Sequence, residues 1–294
     1  MDRKPLDALA FGLMTLLCML WGFQQVTIKV AAPDISLVMQ AGIRSVIAAS
    51  VLIAWAKLRG IQLFARDGTF WSGLAAGALF AGEFVFIYAG LAYTTASRMI
   101  VFIYAAPCLT ALILPMFVPV ERLNIRQWAG VMLAFAGLFG AFAEGFLSAG
   151  GRTLVGDLSG LIAAFLWAAT IVVIRATALG RTSATKTLFY QLAVSALTLP
   201  IVSITMGEPG VVRATPLAVA SLAYQGVIVA FASYLTWFWL LTKYLAARLS
   251  VFTFLTPLFG VLCGVVFLAE PITPAFLASA LLVAGGIALV NLPR

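Results

Sequence analysis

Two ionisable side chains, Arg44 and Glu83, stand inside long apolar stretches of this chain. A guanidinium presents a flat fork of donors that suits a carboxylate, and a carboxyl group can hold an ammonium or a proton. At a helix centre in a bilayer each costs about 2.5 to 3.5 kcal/mol, so each needs a partner or a wet cavity. Pro107 and Pro257 interrupt two other apolar stretches. Each proline removes a backbone hydrogen bond and frees the carbonyl four residues earlier, here Ile103 and Thr253, for a ligand or water. Aromatic and amide side chains collect on further stretches: Trp21, Gln24 and Gln25, then Tyr104, then Tyr190 and Gln191. Tyr224, Phe231, Tyr234 and Phe238 lie close to one helical face with Trp237 beside it. Such a set either stacks on a flat substrate moiety or fills a core.

The elements that must position these groups are membrane helices. With 63% hydrophobic residues, 10% charged residues and a mean hydropathy of +1.10, the chain is excluded from the soluble class, whose charged fraction is about 25%. Apolar runs between charged or Pro/Gly breaks fall at 8–29, 35–56, 69–92, 97–118, 125–145, 155–175, 185–206, 216–240, 247–269 and 274–292. These ten spans use nearly all of the 294 residues, and the first reads as a retained span rather than a cleaved signal. Arg44 in span 2 and Glu83 in span 3 come out at the same depth, roughly 12 to 14 Å below the outer surface at about 1.5 Å per residue. A direct ion pair that fixes helix register is one expectation for them, and a shared cavity is the other. Asp157, Glu144, Glu121 and Glu270 fall near span ends and read as solvated or helix-terminal charges.

An inside N-terminus puts Arg3, Lys4, Lys57, Arg59, Arg66, Arg122, Arg126, Arg175, Arg181, Lys186, Lys243, Arg248 and Arg294 on one side. Lys29, Arg98, Arg152 and Arg213 fall on the other, a split of 13 to 4. That asymmetry predicts ten spans with both termini cytoplasmic. The net charge of +8 calls for lipid headgroups and for no nucleic acid. Cys18, Cys108 and Cys263 lie in apolar runs and read as packing residues. The chain has no histidine, so neither a metal site nor any cofactor is expected. No Gly-Lys dipeptide is present, which excludes a phosphate-cradling loop for ATP and leaves downhill or ion-coupled movement. An enzyme on lipid-linked substrates finds no Asp-Asp-x-x-Asp pattern and no nucleophile with its base. Small residues at four-residue spacing, Gly73 and Gly77, Gly260 and Gly264, Ala280, Ala284 and Ala288, read as packing faces, with contacts in a homo-oligomer as the alternative.

The sequence also repeats itself at 146 to 150 residues. Trp21 to Lys29 matches Trp167 to Arg175. Ala96-Ser97-Arg98-Met99-Ile100-Val101-Phe102 leading to Pro107 matches Ala246-Ala247-Arg248-Leu249-Ser250-Val251-Phe252 leading to Pro257, with 5 of those 12 positions identical. The halves run 1–148 and 153–294, joined by Ser148-Ala149-Gly150-Gly151-Arg152. An odd number of spans in each half inverts the second, a build that places ligand sites at the midplane between halves. Arg44 aligns near Ser195 and Glu83 near Ser233, so any site built on the two charges is asymmetric within a symmetric frame.

These features, with the small-residue runs Ala129 to Gly137 and Ala284 to Ala288, resemble the EamA-type members of the drug/metabolite transporter superfamily. Within it the chain looks most similar to the YddG-like bacterial inner-membrane exporters of aromatic amino acids. The resemblance implies a central cavity lined by spans 1 to 4 and 6 to 9, with spans 5 and 10 peripheral. Carried onto this sequence, it places Arg44, Glu83, Tyr104, Pro107, Trp167, Tyr190, Tyr234, Trp237 and Pro257 on cavity helices, with Glu83 as the candidate for proton coupling. The expectation is an exporter of small amphipathic metabolites, amino acids among them, working by alternating access. Export of cationic or aromatic drugs is the rival.

Overall fold

The computed structural model describes residues 6–91, 93–94, 96–143, 153–268 and 274–292. Glu144, Glu270, Arg3, Lys4, Arg152, Arg294 and the 148–152 link lie outside them. The described residues are helical apart from turns and one isolated bridge between Ile35 and Val211. The helices are α1 (Ala8–Ala31), α2 (Leu37–Leu58), α3 (Phe70–Leu91), α4 (Ala96–Ile103), α5 (Ala106–Phe117), α6 (Ile125–Ala141), α7 (Thr153–Ala176), α8 (Ala184–Thr205), α9 (Pro216–Ala223), α10 (Tyr234–Lys243), α11 (Ala246–Phe252), α12 (Leu255–Leu268) and α13 (Pro274–Asn291). Eight segments are long and apolar enough to cross a bilayer; α6 and α13 are apolar but shorter. The chain is a multi-pass membrane protein whose described residues form ten helical segments, in the order the sequence predicts.

The segment boundaries follow from local chemistry. Asp7, Ser183 and Thr215 each accept a bond from the backbone N–H three residues on, and Asn124 with Gln127 forms a reciprocal capping box. The prolines split two spans. Pro107 is the second residue of α5, after a break that separates it from α4, and Pro257 is the third residue of α12, after the break from α11. The Thr253 carbonyl accepts from the Thr256 N–H at 2.9 Å, so a tight local turn closes the acceptor that the sequence leaves for a ligand. Span 8 departs from expectation most. Between α9 and α10, Tyr224–Ser233 is wound as a π-helix, and the phase of every later side chain shifts with it.

The packing follows the repeat. When each span n is exchanged with span n+5, the contact of α1 with α12 becomes that of α7 with α5. Likewise α3 against α8 becomes α2 against the π-helical stretch, while α2 with α8 and α6 with α13 map onto themselves. Gly130 faces Gly286 and Gly137 faces Ser279, so α6 and α13 run antiparallel. Gly42 near the start of α2 meets Pro200 near the end of α8, the same relation. Repeat-related helices that run antiparallel are what an inverted pair requires.

Both ends of the α2–α8 pair are tied. At one end Glu208 accepts from the Val38 and Met39 N–H groups, both at 3.3 Å, and from Ser203. At the other the fully buried Lys186 donates to Ala65 O and Asp67 Oδ2, each at 2.8 Å. The Lys186 ammonium, helped by the Thr69 hydroxyl, holds the Asp67 carboxyl down from 3.8 to about 2. A depressed carboxyl contributes stability that is complete above its unfolded value and lost as pH falls through the folded one. Lys186→Met should therefore shrink an acid-side step between about pH 4 and 2 in thermal unfolding curves recorded against pH, the Thr69 bonds keeping part of it. An unchanged step would assign it to another carboxylate.

Candidate functional site

A cavity of about 310 Å³ lies between the helices, within the range of small-molecule sites. Its lining comes from α1 to α4, α7, α8, α10 and α12; none comes from α6 or α13. The repeat-related tryptophans Trp21 and Trp167 both face it. Trp21 packs edge-on to Tyr234 and Trp237 at 6.2 and 5.9 Å between centroids, and Trp167 packs edge-on to Tyr104 at 5.8 Å. The Trp21 indole N–H donates to Ser233 Oγ at 2.8 Å. Ser233, the residue aligned near Glu83, thus orients an aromatic wall.

Of the nine residues expected on cavity helices, Arg44, Glu83, Tyr104, Trp167, Tyr234, Trp237 and Pro257 line the cavity. Tyr190 and Pro107 do not. The Tyr190 ring lies where a Cβ on Gly73 would be 2.3 Å away, and its hydroxyl is 3.2 Å from Thr69 Oγ1. Pro107 is buried at the α4–α5 break, where it shapes the wall without facing it. In span 8, Tyr224 donates to Leu20 O and Phe231 packs on Trp55. The π-helical winding turns these two away from the lining and leaves Tyr234, Trp237 and Phe238 on it.

Arg44 and Glu83 share the cavity but form no direct ion pair among the described residues. The register-fixing pair is therefore not what the structure shows. The Arg44 guanidinium lies over the Phe84 ring, 4.6 Å from its centroid, and its Nε has no hydrogen-bond partner. A guanidinium stacked on a ring keeps its in-plane donors for other groups. Three further lining residues carry buried polar atoms without a protein partner: Gln24 Nε2, Gln191 Oε1 and Thr256 Oγ1. Unpaired buried polar atoms are uncommon, and four around one cavity suit a polar ligand or bound water. Thr256 escaped the sequence reading; its one signal was its place directly before Pro257.

The charges at the span ends are corrected by the structure. Glu121 and Asp157 are buried, not solvated. Arg98 pairs with Asp157, donating from Nε to Oδ1 at 3.0 Å, and Thr94 adds a bond of 2.9 Å. Arg175 pairs with Glu121, whose two oxygens also accept the N–H groups of Ala246 and Ala247 at 3.2 and 3.1 Å. The carboxylate thereby caps α11 from a turn that follows α5.

An all-helical bundle of antiparallel repeat-related helices around a ligand-sized cavity defines a class of multi-pass membrane protein. The chain belongs to the EamA-like transporter family, whose model matches residues 9–143 and 154–292. It is 27% identical over 284 residues to an uncharacterized transporter, YvbV, of Bacillus subtilis, covering 95% of this chain and 90% of that one. It is 24% identical over 285 residues to a probable amino-acid metabolite efflux pump of Salmonella typhimurium, covering 94% and 92%. A solved structure titled only as the crystal structure of a protein shares the fold with a TM-score of 0.83 at 20% identity, over 96% of this chain and 98% of that one.

Proposed function

We propose that the protein is a bacterial inner-membrane secondary transporter that exports small amphipathic metabolites, amino acids and aromatic ones among them. Its units are 1–148 and 153–294, two inverted five-helix repeats that expose one site alternately to each side, with both termini cytoplasmic. The observation that carries this reading is the cavity in which a guanidinium with an unpartnered Nε and a carboxyl group sit among Trp21, Tyr104, Trp167, Tyr234 and Trp237. The name of the Salmonella relative supports the amino-acid class. Arg44, Glu83 and the five aromatics are the substrate contacts, Pro257 is part of the wall, and Pro107 sets the α4–α5 break. The rival, export of cationic or aromatic drugs, draws on the same aromatics with Glu83 as counter-ion.

Saturable counterflow of labelled amino acids into liposomes is the expected result for a carrier. Flux of another solute class with none for any amino acid would overturn the substrate reading, and unsaturable flux would indicate a channel. Glu83 is the carboxyl of the cavity, faced by Arg44 from α2, Tyr104 from the α4–α5 break and Tyr234 from α10, with Tyr88 on its own helix. If it carries the coupling proton, Glu83→Gln should flatten the dependence of transport on pH. Persistence of the wild-type profile in that variant would remove it from coupling.

A further inference from the structure

We infer that the cavity selects its substrate as a zwitterion, with Arg44 receiving the carboxylate and Glu83 the ammonium, so that a ligand carrying only one of these charges is rejected. This rests on the transporter reading above and narrows it to the groups that discriminate.

Three observations lead to it. First, Arg44 and Glu83 are 3% and 8% exposed and both line the cavity, yet they do not pair with each other. A guanidinium and a carboxyl group in one buried site pair unless geometry holds them apart, and a buried charge without a partner is costly. Secondly, Arg44 is held by its own surroundings. Its guanidinium lies on the Phe84 ring, and its Nε is without a partner. The ring covers one face of the guanidinium plane and Tyr234 is a hydrogen-bond partner of the group, while the Nε edge is left for a planar carboxylate. Thirdly, the neutral polar atoms on the wall offer both kinds of bond. Gln24 Nε2 is an unpartnered donor, Gln191 Oε1 an unpartnered acceptor, and the Thr256 hydroxyl can serve as either. A ligand that ends in a carboxylate and an ammonium needs just such a mixture around a guanidinium and a carboxyl group, and the Trp21 and Trp167 clusters leave an aromatic wall for its side chain.

The consequence concerns rejection. A cationic amine can meet Glu83 but leaves Arg44 buried without its anion; a carboxylic acid meets Arg44 and leaves Glu83. In each case a buried group loses a bond that the zwitterion makes, so discrimination comes from the group that the wrong ligand fails to satisfy.

The experiment is calorimetric titration of the purified full chain in nanodiscs with L-phenylalanine, phenethylamine and 3-phenylpropionate, which share a ring and differ in charge. The expected result is that phenylalanine binds about a hundredfold more tightly than either analogue. Arg44→Gln should weaken phenylalanine and 3-phenylpropionate while leaving phenethylamine unchanged. Glu83→Gln should weaken phenylalanine and phenethylamine while leaving 3-phenylpropionate unchanged. Equal affinity of the wild type for phenethylamine and phenylalanine overturns the inference in favour of a cation site, and absence of binding by all three overturns it as well. A uniform loss for all three ligands in either variant would show a structural role and would also sink it. The wild-type comparison decides the matter even if a variant does not fold. Counterflow on the same preparation separates the two levels: flux without charge discrimination defeats the zwitterion clamp alone, whereas discrimination without flux defeats the transporter reading.

Discussion

Arg175→Met should cost about 3 to 5 kcal/mol of stability, the range for removing one partner of a buried ion pair. Glu121 is 1% exposed and Arg175 6%. In the wild type the guanidinium pairs with the Glu121 carboxylate and donates from Nη1 to Leu241 O at 3.1 Å. The same carboxylate takes two N–H groups at the start of α11, so one buried anion joins the turn after α5, the end of α7 and the first turn of α11. Without Arg175 those N–H bonds remain but the anion loses its counter-charge inside the bundle. Its only relief is to take up a proton or to admit water, and either one loosens the α11 cap. Ile174, next in sequence, lines the cavity, so the loosening reaches the wall. A double variant, Arg175→Met with Glu121→Gln, removes both charges and should recover part of the loss, because a neutral pair is often as stable as the ionic one. Thermal unfolding in detergent, with and without phenylalanine, checks this. A single variant within about 1 kcal/mol of wild type would show that water already screens the pair.

How much of this was legible in the sequence depends on how local the signal is. Arg44 and Glu83 were found because a charge inside an apolar run has no innocuous place to go, and the cavity holds both. The repeat alone pairs Trp21 with Trp167. What failed were inferences about direction and partner. Tyr190 and Gln191 are neighbours, and a 100° step on α8 sends one ring against Gly73 and the other side chain into the cavity. The sequence could not say which. The aromatic face assigned to span 8 assumed one helical period throughout, and the π-helical stretch at Tyr224–Ser233 breaks that period. Glu121 and Asp157 sit near span ends, which locally suggests solvation, but their cations are 54 and 59 residues away in sequence. Only the packed bundle brings them together.

Gly286→Val should separate α6 from α13 and lower stability by more than the usual 1 to 3 kcal/mol or so of an overpacked site. A Cβ on Gly286 would fall 2.5 Å from Gly130 O and 2.6 Å from Ala134 N, and one on Gly130 would fall 2.7 Å from Gly286 O. These neighbours are backbone atoms, so no rotamer change relieves the clash and the helices themselves must part. Parting them strips contacts along the interface that small residues make possible. It also strains the Gln127 Nε2 bond to Val290 O, now 3.2 Å. Gly285, one residue earlier, supplies the control: a Cβ there meets nothing nearer than Leu133 Cδ2 at 3.8 Å. Gly285→Ala should therefore be neutral or gain up to about 1 kcal/mol from helix propensity. Neither α6 nor α13 lines the cavity, so Gly286→Val should reduce the amount of folded protein while ligand discrimination in the folded fraction stays wild type. Thermal unfolding of the two variants side by side tests the argument. Equal stability would mean that the α6–α13 interface tolerates separation, and altered discrimination would mean that the pair acts on the site after all.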